Sequence, residues 1–170
     1  IVAHVSMAKP VSKSLGECCV SSLEKLNIPY QMNGTYIVME GPQFSTLAES
    51  NLYRSWGADV IGMTNMPEAK LAREAEIRYC TVAMVTDYDC WHPDHDEVDV
   101  AMVIQTLSKN ASNAQNMIKE IIKTYKDFSV EKDLANNCLD TAIITDSKLR
   151  TKKTIKKLQY VAGRVLNIKQ

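Results

Sequence analysis

At 170 residues the chain suits one domain, large enough to bury about two-thirds of the surface its unfolded form exposes. With 45% hydrophobic and 24% charged residues it is an ordinary globular protein, and 20 basic against 20 acidic side chains leave no net field that favours nucleic acid or an anionic membrane. No apolar run approaches the roughly 20 residues of a membrane helix, and none follows a basic stretch like that of a signal peptide.

In chain order, Ile1 to Val5 reads as a short buried strand. Ser14 to Leu26 is predicted helical, with Leu15, Cys19, Ser22, Leu23 and Leu26 on one face. Tyr30 to Met39 is a hairpin candidate, because Asn33-Gly34 accepts the positive φ angles of a tight turn. Thr46 and Glu49 have the spacing of a capping box, opening a helix that runs to about Trp56 and stops at Gly57. Asp59 to Gly62 is a short strand, and Pro67 sits where a first helical turn tolerates a missing N–H, with helix from Glu68 to Glu76. Tyr79 to Thr86 is apolar and β-branched throughout, the pattern of a strand buried on both faces. Beyond a polar loop, Met102, Val103, Leu107, Ala111, Ala114, Ile118, Ile121 and Ile122 recur at helical spacing. The last forty residues, with the run "KLRTKKTIKK", carry no recognisable chemistry and read as peripheral helices whose lysines are a solvated face.

Strand, helix, strand, helix, strand is an α/β fold, a single-domain mixed and largely parallel sheet flanked by helices. Ligands in such sheets gather beyond the carboxyl ends of the strands. Three loops take that place, around Phe44, around Met63-Thr64, and around Asp87-Tyr88-Asp89.

Asp87 and Asp89 stand two apart at the end of the apolar run, so extended geometry points both side chains the same way. Paired carboxylates repel, and partial burial raises the pKa of at least one. A protonated carboxyl donates to a ring nitrogen while an ionised neighbour accepts from an amine, which suits the edge of adenine. The competing reading is that one Asp caps the next segment and the other is solvated; spacing alone leaves both open. His92, Asp94, His95, Asp96 and Glu97 are possible metal ligands, but Pro93 breaks any helix that would align them and no metal motif is present. Phe44 and Met63 offer an apolar floor and wall, with core packing as the plainer role for each. Glu49 reads as a helix cap rather than a base, and His4, on an apolar segment, as a structural histidine. Cys18, Cys19, Cys80, Cys90 and Cys138 fit neither a disulfide framework nor a zinc site, so reduced thiols in the cytoplasm, or in the nucleus, are the simplest reading.

The stretches "EGPQFSTLAES", "WGADVIGMTNMPEAKLAREA" and "AMVTDYDCW" resemble the trimeric class of purine nucleoside phosphorylases, and within it the methylthioadenosine phosphorylases. The similarity is dense from about Val2 to about Ala114. It implies phosphorolysis of 5'-methylthioadenosine to adenine and 5-methylthioribose 1-phosphate, in a homotrimer with phosphate as co-substrate and no metal or organic cofactor. By that resemblance Asp87 assists the departing purine at N7 and Asp89 holds the exocyclic amine. Phe44 packs on the purine, Met63 lines the ribose, and Thr64 contacts phosphate. Val98, Val100, Val103 and Ile104 form an apolar chamber for the methylthio group, and His4 reaches across the trimer interface. Relatives acting on 6-oxopurines carry Glu and Asn where this chain has Ser45 and Asp87. An Asn amide can donate to a 6-oxo group, which a carboxylate repels unless protonated.

The resemblance also implies a missing part. The Gly-rich start and the Arg-His and Thr loops that complete the phosphate site in the family have no counterpart here. The chain therefore reads as the carboxyl-terminal portion of one phosphorylase domain, with 1–127 as core and 128–170 as a peripheral helical tail, and as inactive alone. The rival readings are a purine phosphorylase for adenosine or inosine and a non-catalytic nucleoside-binding protein. Apolar Val98, Val100 and Val103 speak against a free 5'-hydroxyl, which would cost a few kcal/mol to bury unpaired.

Overall fold

Local sequence chemistry accounts for the helices of this computed structural model, which describes residues 1–92, 100–128 and 133–166; the side chains of 100–103 and 127 lie outside that description. The chain divides into two compact units. Unit 1 comprises Ile1–Gly16, Pro67–Cys80 and Ser129–Gln170, and unit 2 comprises Glu17–Met66 and Thr81–Phe128.

In unit 2, helix α1 (Lys13–Lys25, its first turn assigned to unit 1) buries Cys18, Cys19 and Ser22, close to the face predicted from spacing. Helix α2 (Leu47–Ser55) opens with the predicted capping box: Thr46 Oγ1 accepts from Glu49 N, and the Glu49 carboxylate accepts from Thr46 N at 2.8 Å. Those two bonds satisfy orphan donors of the first turn, and the bond from Thr46 N, with one from the Thr46 hydroxyl, holds the Glu49 carboxyl below its ordinary range. Gly57, at φ 76°, terminates the helix.

The predicted hairpin does not form. Asn33 and Gly34 do take positive φ, 66° and 147°, but β1 (Tyr36–Val38) pairs in parallel with β2 (Val60–Gly62), Tyr36 facing Val60 and Val38 facing Gly62. Asp59 fixes that register: its carboxylate accepts from Thr35 N at 2.7 Å while its own N–H donates to Thr35 O at 2.9 Å. Turn chemistry is local, whereas the choice of partner strand is not.

Two further expectations need correction. Tyr79 to Thr86 belongs to no ladder among the described residues, and Val82, Met84 and Val85 are exposed. Helix α4 (Val100–Thr124) forms as predicted, yet it buries Met117 and Thr124 and leaves Ile104, Leu107, Ile118 and Ile122 in solvent. Apolar periodicity shows that a face seeks cover, not which part of the chain supplies it.

Unit 1 is organised around polar straps. Ile1 to Val5 is no buried strand, since it makes one antiparallel bridge, Ala3 to Ile143, and residues 1–4 are exposed. In α3 (Glu68–Glu74), Arg73 is only 4% exposed, and its guanidinium donates to the carbonyls of Ser6, Lys9 and Pro10. Burying that charge is tolerable because the fork finds three acceptors. Glu76 accepts from Leu139 N and from two nitrogens of Arg164, which also reaches Asp140. The Arg164 bond is the main reason the Glu76 carboxyl lies below its ordinary value. Burial pushes the Asp133 carboxyl up, but hydrogen bonds from Ser12, Ala135 N and Ser14, with the charge of Arg78, bring it below its ordinary value.

The tail contains α5 (Lys152–Lys157) and α6 (Gln159–Ala162), as predicted for a helical segment. It is not peripheral to unit 1. Leu139, Ala142 and Ala162 form a buried cluster, with Val5, Leu158 and Val165 packed against it. Among the described residues no helix is long and apolar enough to cross a membrane.

Candidate functional site

Because β1 and β2 are parallel, the loops that follow them leave the same edge of the sheet. Met39 N donates to Gly62 O at 3.0 Å, carrying the pairing one residue past β1. The first loop then turns through Gly41, at φ 72°. A Cβ added at Gly41 would stand 2.6 Å from Met63 Sδ, so glycine is what lets the first loop lie against Met63 of the second. The second loop is tied in turn to the apolar segment, where the Thr81 hydroxyl donates to the Asn65 side-chain oxygen. Val85 O accepts from Asn110 of α4 at 3.0 Å.

The third loop, Asp87 to His92, is folded on its own rings. Tyr88 stacks on His92 with centroids 4.5 Å apart and meets Trp91 edge-on at 5.8 Å. One contact attaches this loop to the first and another attaches it to α2. Cys90 Sγ donates to Ser45 O at 3.4 Å, and the Arg54 guanidinium of α2 lies 3.7 Å above the Trp91 ring. Neither contact has a signal in the sequence: a lone cysteine and an arginine in the last turn of a helix have no diagnostic spacing.

The structure thus gathers Ser45, Met63 and the loop carrying Asp87 and Asp89 within unit 2. Asp87 is exposed and accepts from the Thr86 hydroxyl at 2.5 Å. Asp89 is half-buried, and its Oδ1 accepts from Cys90 N at 2.9 Å, the capping role that competed with ligand binding in the sequence argument. That bond occupies part of the carboxylate's acceptor capacity, since two oxygens offer about four lone-pair sites. No strand aligns the pair, because Asp87 sits at a bend and the segment before it joins no ladder among the described residues. The burial it leaned on holds for Asp89 and not for Asp87.

Phe44 is 85% exposed at the tip of the first loop, and Thr64 is exposed beside Met63. Ser45 is half-buried, its hydroxyl 3.7 Å from Met39 Sδ. Ile104 is exposed in the second turn of α4. Val98 lies outside the described residues, as do Asp94, His95, Asp96 and Glu97; Val100 and Val103 belong to α4, with side chains outside the description. His4 belongs to unit 1, where its N–H donates to Ala142 O at 2.9 Å. It lines a cleft of about 400 Å³ with Lys9, Arg73, Asn137 and Cys138. Burial raises the Cys138 thiol's pKa, and its Sγ donates to Arg73 O.

Residues 2–123 match the family model described as the phosphorylase superfamily. The chain is 59% identical over 167 residues to the S-methyl-5'-thioadenosine phosphorylase of Rhodospirillum rubrum, covering 98% of this chain and 57% of that protein. It is 51% identical to the protein of the same name from Synechocystis, covering 96% and 51%. A crystal structure of a methylthioadenosine phosphorylase from an antarctic soil metagenomic library superposes with a TM-score of 0.86 at 44% identity, covering 94% of this chain and 56% of that one. The Schistosoma mansoni methylthioadenosine phosphorylase in complex with adenine superposes at 0.70 with 29% identity, covering 81% and 54%. The chain spans a little over half the length of the curated relatives it matches.

Proposed function

The chain belongs to the phosphorylase superfamily, and from that premise we propose that the polypeptide containing it cleaves 5'-methylthioadenosine with phosphate. The C1'–N9 bond breaks, a phosphate oxygen bonds to C1', and adenine leaves with a proton delivered at N7. Asp87 supplies that proton, and Asp89 accepts from the exocyclic amine. Phe44 and Met63 flank the purine and ribose, while Thr64 takes part of the phosphate. Val98, Val100, Val103 and Ile104 surround the methylthio group.

One observation carries this reading: the Cys90–Ser45 contact sets the acid-bearing loop against the position that accompanies a choice between 6-amino and 6-oxo purines in the resemblance. The names of relatives at 59% and 51% identity support the same chemistry. Thr64 alone cannot neutralise a phosphate, so residues beyond this chain, in a polypeptide of the relatives' length, complete that subsite. The assembly is a homotrimer in which His4 closes a neighbouring copy's site. The reaction as written needs no metal or organic cofactor. Free cysteines and bacterial relatives support a cytoplasmic setting.

The test is an assay of the complete gene product with methylthioadenosine, with and without phosphate, and with inosine. Phosphate-dependent release of adenine is expected. Turnover without phosphate, preference for inosine, or binding with no turnover would each replace the proposal. Adenosine belongs in the same panel, because one similar structure is of an adenosine/methylthioadenosine phosphorylase from Schistosoma mansoni.

A further inference from the structure

We propose that Cys90 and Arg54 are positioning residues for the nucleobase-recognising acids, an inference that rests on the site reading above. The loop from Asp87 to His92 follows the exposed apolar segment of unit 2. The segment before it joins no ladder among the described residues, so no row of backbone bonds holds the loop from upstream. Its rings instead make it a small body of its own, Tyr88 on His92 and Trp91 edge-on to Tyr88. Asp87 and Asp89 ride on that body.

Two attachments of different chemistry set where the body sits. The Cys90 thiol donates to Ser45 O at 3.4 Å, joining it to the loop after β1. Arg54 lies 3.7 Å over the face of Trp91, joining it to the last turn of α2. A cation centred on an indole face is attracted by the ring quadrupole. Together they hold the loop that carries both carboxylates to Ser45 and to α2. Small misplacements of a positioned acid are costly to rate, so weak contacts can matter here beyond their own strength.

The test uses the complete enzyme and four variants, Cys90→Ala, Cys90→Ser, Arg54→Ala and Arg54→Lys. Each alanine variant is expected to lower kcat/KM for methylthioadenosine about five-fold, the scale of one exposed cation–π contact. KM for phosphate and the melting temperature should stay at wild-type values. Serine, which still donates to Ser45 O, and lysine, which still carries a cation, should restore most of the loss. In a Trp56→Phe background Trp91 is the only tryptophan in this chain, and both alanine changes should shift its emission. Wild-type kcat/KM in both alanine variants overturns the proposal. So does an equal rise in KM for both substrates with a lowered melting temperature, which marks a merely structural role. A wild-type enzyme without turnover overturns the site reading and this inference with it; normal turnover with insensitive variants overturns the inference alone.

Discussion

Unit 1 and unit 2 differ in how their buried polar groups are held. In unit 1, charged groups near the core pair with distant parts of the chain: Arg73 on three carbonyls, Glu76 between Leu139 and Arg164, Asp133 under Ser12 and Ser14. Unit 2 carries the loops with the candidate chemistry, and Phe44, Val85 and Ile122 stand open there, at 85%, 59% and 73% exposure. An amphipathic helix with Ile104, Leu107, Ile118 and Ile122 in water has an apolar face without a cover among the described residues. The difference teaches that stability and chemistry are separable here: changes in unit 1 should move melting, and changes in the unit 2 loops should move turnover.

The sharpest way to break that separation is Asp87→Asn. An amide cannot deliver the proton, so kcat/KM for methylthioadenosine should fall by about 10² to 10⁴-fold, the range of general-acid contributions. The melting temperature should hold, because Asp87 is exposed. Wild-type turnover in that variant removes its assigned role.

Arg73→Ala probes the other side. It strips donors from three carbonyls and empties a buried volume, so about 3 kcal/mol of stability should be lost in a denaturant titration. The KM values of the enzyme that remains folded should not move; a rise in the nucleoside KM would join what the comparison separates.

Gly41→Ala falls between the two. The left-handed backbone there strains an alanine by about 1–2 kcal/mol, and the added methyl displaces Met63 Sδ. A raised KM for the nucleoside together with a modest drop in melting temperature is the expected pair of readouts.

The smallest effect is the acid dependence of the Glu76 strap. A carboxyl held below its ordinary value, 4.5, contributes stability that is fully present above that value and is lost as pH falls through the lower folded one. Glu76→Gln should therefore cost about 1–2 kcal/mol at pH 7, with the gap from wild type closing below about pH 4.5. A gap that persists unchanged at pH 3 would show that the strap works by shape and not by charge.

What could be read from the sequence follows the range of the physics involved. The capping box of Thr46 and Glu49, the stop at Gly57 and the span of α4 each depend on neighbours within a few residues, and all three appear. The hairpin failed because Asn33-Gly34 encodes a turn and not a partner, and Tyr36 to Val38 chose Val60 to Gly62. The core of unit 1 escaped notice because Ala142 and Ala162 are too small to mark a hydrophobic run. The three candidate loops were legible as ends of apolar segments. Their mutual attachment was not, because Cys90 and Arg54 act through single contacts 45 and 37 positions away in the chain.

The guanidinium of Arg73 imposes an order on synthesis. Its acceptor on Lys9 leaves the ribosome 64 residues earlier, which at about 5–20 residues per second means a wait of roughly 3–13 s. During that interval the stretch from Ser6 to Pro10 has none of the three bonds that later hold it, and it is exposed to proteases and chaperones. Nascent chains stalled before position 73 should be clipped there, and chains stalled well beyond it should be spared.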